Sequence, residues 1–329
     1  MSSPHRRVGA LAAVLAATLT TTLTTTLGTS PVAAAEPRSH AFPPRIELPD
    51  GFMPEGITIG RGATAWFGSR RDGDVYEVDL RTGEGETISE GPGTPSVGLK
   101  VDRRGRLFVS GGTGGDARVV DTRTGEVTSY ELVPAPEESF INDSLVTRRT
   151  VWFTDSRSAR LFGLPLGRGG ALPAQEDVVT APLSGEWVQP PAPGLGANGL
   201  TEAPDGEALL VVNAGVLHRV DPETGDARLV DTGGAALTNG DGMLLRGRTL
   251  YVVQNFLEQV SVLKVSRDGR SARLVHVIDE FEAEVDVPTT VAAFGRWLYL
   301  PNARFSTPAE PDTPYWVTRT SRVGHHRPR

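Results

Sequence analysis

Short apolar runs recur along the chain, separated by Asp-Gly, Thr-Gly and Arg-Gly turns. The strongest are Ala65–Gly68, Leu107–Ser110, Val151–Asp155, Leu209–Asn213, Leu250–Asn255 and Trp297–Asn302. Each follows a shorter apolar stretch that begins at a polar or glycine-containing turn. Brief runs bounded by turn residues predict many short antiparallel strands. No convincing amphipathic helix appears after the N-terminal stretch.

An internal repeat orders these strands. Val78-Asp79-Leu80-Arg81-Thr82-Gly83-Glu84 returns as Val120-Asp121-Thr122-Arg123-Thr124-Gly125-Glu126 and as Val220-Asp221-Pro222-Glu223-Thr224-Gly225-Asp226. A degenerate copy is Val265-Ser266-Arg267-Asp268-Gly269. The first two copies lie about 42 residues apart, close to the length of one propeller blade. Copies two and three are about 100 residues apart, as expected for two blades plus an insertion. The Pro-rich stretch from Leu172 to Gly196 is read as that insertion. Each copy describes a strand ending in a tight turn whose glycine supplies positive φ.

Counted by their second strands, there are six units. The expected fold is therefore all-β, a six-bladed β-propeller of four strands per blade. Arg45–Leu48 would complete the last blade beside Tyr315–Arg319, removing exposed sheet edges. Two separate sandwiches would leave a repeat spanning the whole chain unexplained.

Four polar residues fall at one phase of this repeat: Glu55, Asn142, Asn198 and Asp241. Each opens the innermost strand of its unit, in units one, three, four and five. Unit two has Val97 or Gly98 there, and unit six has Thr289. Equal phase in a ring places residues around one axis. Taken singly, Asn-Gly and Asp-Gly are ordinary turn pairs and Glu55 an ordinary surface acid. Together, two carboxylates and two amides form an oxygen donor set suited to a hard divalent cation, Ca²⁺ before Mg²⁺. Asn239, in Thr238-Asn239-Gly240-Asp241, competes with Asp241 for the inward position. Strand geometry puts Ser69, Asp155, Asn213, Asn255 and Asn302 around the pocket mouth, and Thr289, at the ring position of unit six, joins them as a candidate substrate contact. They are either substrate contacts or polar residues that begin loops.

The segments Pro54-Glu55-Gly56, Asn142-Asp143, Val151-Trp152-Phe153-Thr154-Asp155-Ser156, Ala197-Asn198-Gly199-Leu200 and Asp241-Gly242-Met243 carry a resemblance. In their order and spacing the chain resembles the gluconolactonase / senescence marker protein / luciferin-regenerating enzyme family. These are six-bladed propellers related to calcium-dependent phosphotriesterases and paraoxonase-like lactonases. The resemblance implies that Glu55, Asn142, Asn198 and Asp241 hold a divalent metal. It also implies that Asp241 acts as base or nucleophile on a small lactone or ester. A paraoxonase-type histidine dyad is unsupported. His218 and His276 sit in blade strands, and His325 and His326 in a basic tail. The rival readings are a non-catalytic propeller that binds a ligand or protein around a structural metal, and a strictosidine-synthase-like propeller without metal. The four-ligand set speaks against the second.

Composition narrows the setting. Arg6-Arg7, the apolar Ala/Leu/Thr stretch from Val8 to Leu27 and the small residues Ala33-Ala34-Ala35 read as a secretory leader over residues 1–35. The paired arginines raise twin-arginine export, although the flanking residues match it poorly. Residues 36–43 read as a linker, 44–321 as the propeller and 322–329 as a basic tail. There are 0 cysteines, so core burial, with or without a bound metal, must stabilise a secreted chain. The formal net charge of −7 becomes more negative once the two leader arginines are removed. An acidic protein of this kind disfavours nucleic-acid partners. After leader removal no segment is long and apolar enough to span a membrane. A monomer acting outside the cytoplasm is expected. Scarce His, absent Cys and the lack of a phosphate loop or Gly-x-Ser-x-Gly elbow argue against a transition-metal centre, nucleotide chemistry and a serine hydrolase.

Overall fold

The computed structural model describes residues 42–134 and 138–322. The leader, most of the linker, His325 and His326 lie outside the described residues. Six antiparallel sheets follow one another as blades I to VI. From hub to rim, blade I runs Pro54–Ile59, Thr64–Ser69, Val75–Asp79 and Gly85–Ser89. Blades II, III and V repeat this order, with innermost strands Leu99–Val101, Ile141–Val146 and Gly240–Arg246. Blade IV begins at Ala197–Glu202. Blade VI contributes Ala292–Phe294, Trp297–Pro301 and Tyr315–Ser321, and Arg45–Leu48 completes it. The closing register pairs Leu48 with Tyr315 and Arg45 with Thr318. The expected six-bladed propeller and its N-to-C-terminal closure are both present.

The repeated turn has a local cause. In blade I the Asp79 carboxylate accepts the Arg81 backbone N–H at 2.8 Å, and Gly83 N–H donates to the Asp79 carbonyl at 2.8 Å. Gly83 sits at φ 78°. Asp121 with Gly125, and Asp221 with Gly225, repeat both bonds. The aspartate closes the turn through its side chain, and glycine takes the left-handed position that a Cβ would strain.

One expectation needs correcting. Leu172–Gly196 is not simply an insertion. Val179–Pro182 pairs with Arg160–Gly163 as the outer strand of blade III. Ser184–Gly185 pairs in parallel with Asp226–Ala227 and gives blade IV a fifth strand. These outermost strands are largely exposed. They therefore carry no apolar alternation, and their polar, Pro-rich sequence hides them.

The apolar core is divided among the interfaces between blades. Six clusters each join two neighbouring blades, with none confined to one. Phe108 and Val119 of blade II, for example, pack on Ile141 and Phe153 of blade III. A blade alone would leave both faces wet, so the fold is stable only as a closed ring. At the closing seam Ile46, Leu48, Tyr299, Tyr315 and Val317 pack against Phe67 and Val78 of blade I.

Ile46 is 2% exposed there, and Ile46→Ala should cost about 2–5 kcal/mol in urea unfolding. Val127→Ala on the exposed rim should cost under about 0.5 kcal/mol. Equal costs would contradict the role given to the seam.

Candidate axial site

Four innermost strands share a defect at the same place. The register slips between Pro54 and Ile57, between Ile141 and Ser144, between Ala197 and Leu200, and between Gly240 and Met243. Each slip is a β-bulge, which re-aims the bulged residues away from the regular pleat. The first bulged residues are Glu55, Asn142, Asn198 and Asp241, each the second residue of its strand. No such slip is recorded for the short innermost strands of blades II and VI.

Contacts between these segments run around the hub. Gly98 N–H donates to the Asn142 carbonyl at 2.8 Å. The Thr154 hydroxyl donates to the Asn198 carbonyl at 3.0 Å. Gly242 N–H donates to the Thr289 carbonyl at 2.8 Å, and the Thr289 hydroxyl reaches the Glu55 carbonyl at 2.6 Å. The two remaining junctions rely on glycine. A Cβ on Gly56 would lie 2.2 Å from the Val97 carbonyl oxygen, and one on Gly199 would lie 2.4 Å from that of Asp241. Glycine after the ligand-type residue is thus a requirement of close backbone approach.

The side chains meet as well. Asp241 accepts a hydrogen bond from the Asn255 amide at 2.7 Å and another from Asn198. The Asn142 amide nitrogen donates to the Ser156 hydroxyl at 2.9 Å, which anchors that side chain. Burial pushes Asp241 up to about 7; Asp143 adds to the shift, and the hydrogen bonds from Asn255 and Asn198 oppose it. Glu55 is raised well above the ordinary carboxylate range, first by burial and then by repulsion from Asp241 and Asp143. Arg70 and Lys100 pull it partly back. The hub is therefore a buried patch of under-compensated negative charge.

Asp143, Arg70 and Lys100 escaped the sequence reading of the site. Asp143 follows Asn142 where the other bulges carry glycine, and that departure was its only signal. One of its oxygens, Oδ1, lies 3.6 Å from Lys100 Nζ, while Oδ2 is buried without a hydrogen-bond partner. Asn239 is exposed in a left-handed conformation at φ 55°, so Asp241, buried at 3% exposure, is the inward residue.

The six expected mouth residues divide. Asn255 and Thr289 touch the hub through Asp241 and Glu55. Ser69 bonds Asp72 in its own turn, and Asp155 pairs with Arg160. Asn302 bonds the Trp316 carbonyl and the Thr318 hydroxyl, and Asn213 bonds the Val188 carbonyl. These four are buried and staple loops. His218 is buried against the Trp187 ring at 4.9 Å, remote from this chemistry.

The donor set fits a hard cation in chemistry and charge. Among the described residues no group of three or more His, Cys, Asp or Glu side chains is placed to hold a metal. Two of the four candidate donors are amides, so the set does not form such a group. A cleft of about 270 Å³ lies between blades I and II, and one of about 520 Å³ between blades III and IV. Neither is axial.

Neither a protein-family model nor a curated protein sequence matches the chain. Solved structures do share its fold. The allergen Mala s 1 of Malassezia sympodialis aligns with a TM-score of 0.66 at 16% identity, over 88% of this chain and 100% of that one. Regucalcin of Agrobacterium tumefaciens, a calcium-binding protein, aligns with a TM-score of 0.59 at 18% identity, over 88% and 97%. A luciferin-regenerating enzyme aligns with a TM-score of 0.57 at 14% identity, over 84% and 94%. The chain is thus similar in fold to members of the family it resembles in sequence, at low identity.

The two hub acids have folded pKa values above their unfolded ones. The stability they contribute is full below the ordinary carboxylate value and is lost as pH rises through their folded values, for Asp241 about 7. In chelator, the melting temperature should fall between pH 4 and 7 by more in the wild type than in Asp241→Asn. Superimposable pH profiles would contradict the buried-charge description.

Proposed function

We propose that the chain is a divalent-metal-dependent hydrolase of small lactones or esters, with Ca²⁺ the ion held by Glu55, Asn142, Asn198 and Asp241. One observation carries this reading: four innermost strands bulge at equivalent places, and the first bulged residues are two acids and two amides. Regucalcin's description as calcium-binding supports it by analogy of fold. Export through residues 1–35 belongs to the same proposal.

A bound divalent cation would supply Lewis acidity toward a carbonyl oxygen. The protein's own residues do the rest. Asn255 and Asn198 hold the Asp241 carboxylate by hydrogen bonds. A fixed carboxylate beside the electrophile either takes a proton from an attacking water or attacks the carbonyl carbon. Asn142, tied to Ser156, and Glu55, with its backbone tied to Thr289, hold their side chains in place at the same centre. The buried hub keeps bulk water from competing for these groups.

A second reading has its own support. Arg70 and Lys100 already offset part of the hub's negative charge, and the two clefts between blades lie off the axis. Both facts favour a non-catalytic propeller that binds a ligand or protein around a structural metal.

Hydrolysis of a lactone and aryl-ester panel separates the two. The hydrolase reading expects turnover that chelator abolishes, added Ca²⁺ restores, and Asp241→Asn reduces by about 10²-fold or more. Activity surviving both chelator and substitution would end it. Stoichiometric Ca²⁺ binding without turnover of any panel member would favour the second reading.

A further inference from the structure

We propose that Arg70, Phe305 and Phe256 form a recognition rim over the axial site, selecting substrates that carry a carboxylate beside a planar apolar group. The proposal rests on the hydrolase reading and names the substrate class it would take.

Arg70 follows the second strand of blade I. Its backbone N–H donates to the Met53 carbonyl at 3.0 Å, beside the start of the innermost strand. Its guanidinium lies within electrostatic reach of Glu55 and Asp241, which places it by the hub. Its face covers the Phe305 ring at 4.6 Å, and Phe305 lies 6.1 Å from Phe256. These three residues come from blades I, VI and V. The same blades supply Glu55, Thr289 and Asp241.

The guanidinium is unspent. Among the described residues it forms no ion pair within 4 Å and donates no side-chain hydrogen bond, and its Nε is buried without a partner. Other half-buried arginines here are committed: Arg106 to Asp102, Arg219 to Asp205 and Arg304 to Asp286. A part-buried guanidinium with free donors is costly unless something accepts them. A carboxylate is the matching acceptor, because it fits the guanidinium fork with two parallel bonds. Beside it, Phe256 is 56% exposed and Phe305 39% exposed. Two partly exposed rings, one of them stacked under the Arg70 cation, present an apolar face and an anion anchor together.

The nearby acids shape the expectation. Without a cation, Glu55 and Asp241 compete with an incoming carboxylate for Arg70. With a divalent cation on them, Arg70 is released toward the mouth. Anion binding and cation binding should therefore reinforce each other.

Calorimetric titration tests this without relying on turnover. Phenylacetate, benzyl alcohol and acetate serve as probes, each with Ca²⁺ and with chelator. In Ca²⁺, phenylacetate should bind at least about 10-fold more tightly than either fragment probe. Chelator should weaken it by a similar factor. Arg70→Ala should bring phenylacetate down to the level of benzyl alcohol and leave benzyl alcohol unchanged. Phe305→Leu should bring it down toward acetate, and Arg70→Lys should retain only part of the gain. Melting curves establish folding, and if Arg70→Ala does not fold, the lysine and Phe305 variants decide. Phenylacetate binding no better than its fragments, or unchanged in the folded variants, overturns the rim. Hydrolysis of the ester panel with no such preference removes the rim alone. Phenylacetate binding without hydrolysis removes the hydrolase reading alone.

Discussion

Holding Glu55 and Asp241 together in a dry hub is the constraint on which the rest of this protein depends. Each carboxylate loses its hydration on burial; Glu55 then meets the field of Asp241, and both meet that of Asp143. Left alone, such a group takes up a proton or attracts a cation. The chain supplies partial answers in Arg70, Lys100 and the amides of Asn198 and Asn255. Burial still dominates, so both acids stay shifted upward. A fold that kept such a charge cluster for structure alone would gain little, since apolar side chains fill a hub more cheaply. This is the physical reason for reading the hub as a functional centre.

The propeller makes that arrangement possible. Its apolar core lies between blades, and the second residues of four innermost strands, Glu55, Asn142, Asn198 and Asp241, take no part in it. A regular strand would alternate its side chains across the sheet and give the axis only what the pleat allowed. The four bulges break that alternation at the same place in each strand. The glycines after Glu55 and Asn198 then let neighbouring backbones approach closely enough to make the ring tight. The bulge recurs in four blades and is missing from the two with no ligand-type residue, and a close-approach glycine follows it in three of the four.

Much of this was legible in the sequence, for identifiable reasons. The Asp-x-x-x-Gly turns fix strand ends through local hydrogen bonds, so Asp79, Asp121 and Asp221 announced the blade period directly. Phase left Asn239 competing with Asp241, and their burial separates them: Asn239 is exposed and Asp241 buried. The outer strands of blades III and IV were hidden, because exposure frees their composition. Arg70 was also invisible: its place depends on how a loop of blade I meets a loop of blade VI, which no periodicity encodes. Ser69, Asp155, Asn213 and Asn302 look in sequence like the two mouth residues that do touch the hub. Only three-dimensional contacts separate Asn255, bonded to Asp241, from Asn302, bonded to the Trp316 carbonyl.

The most direct measurement is anomalous diffraction from crystals of the protein soaked with a lanthanide in place of Ca²⁺. The account predicts a single strong peak on the propeller axis, within about 2.3–2.6 Å of side-chain oxygens from Glu55, Asn142, Asn198 and Asp241. A hub without a peak at saturating ion, or a peak bound elsewhere while those four side chains keep their present hydrogen bonds, would contradict it.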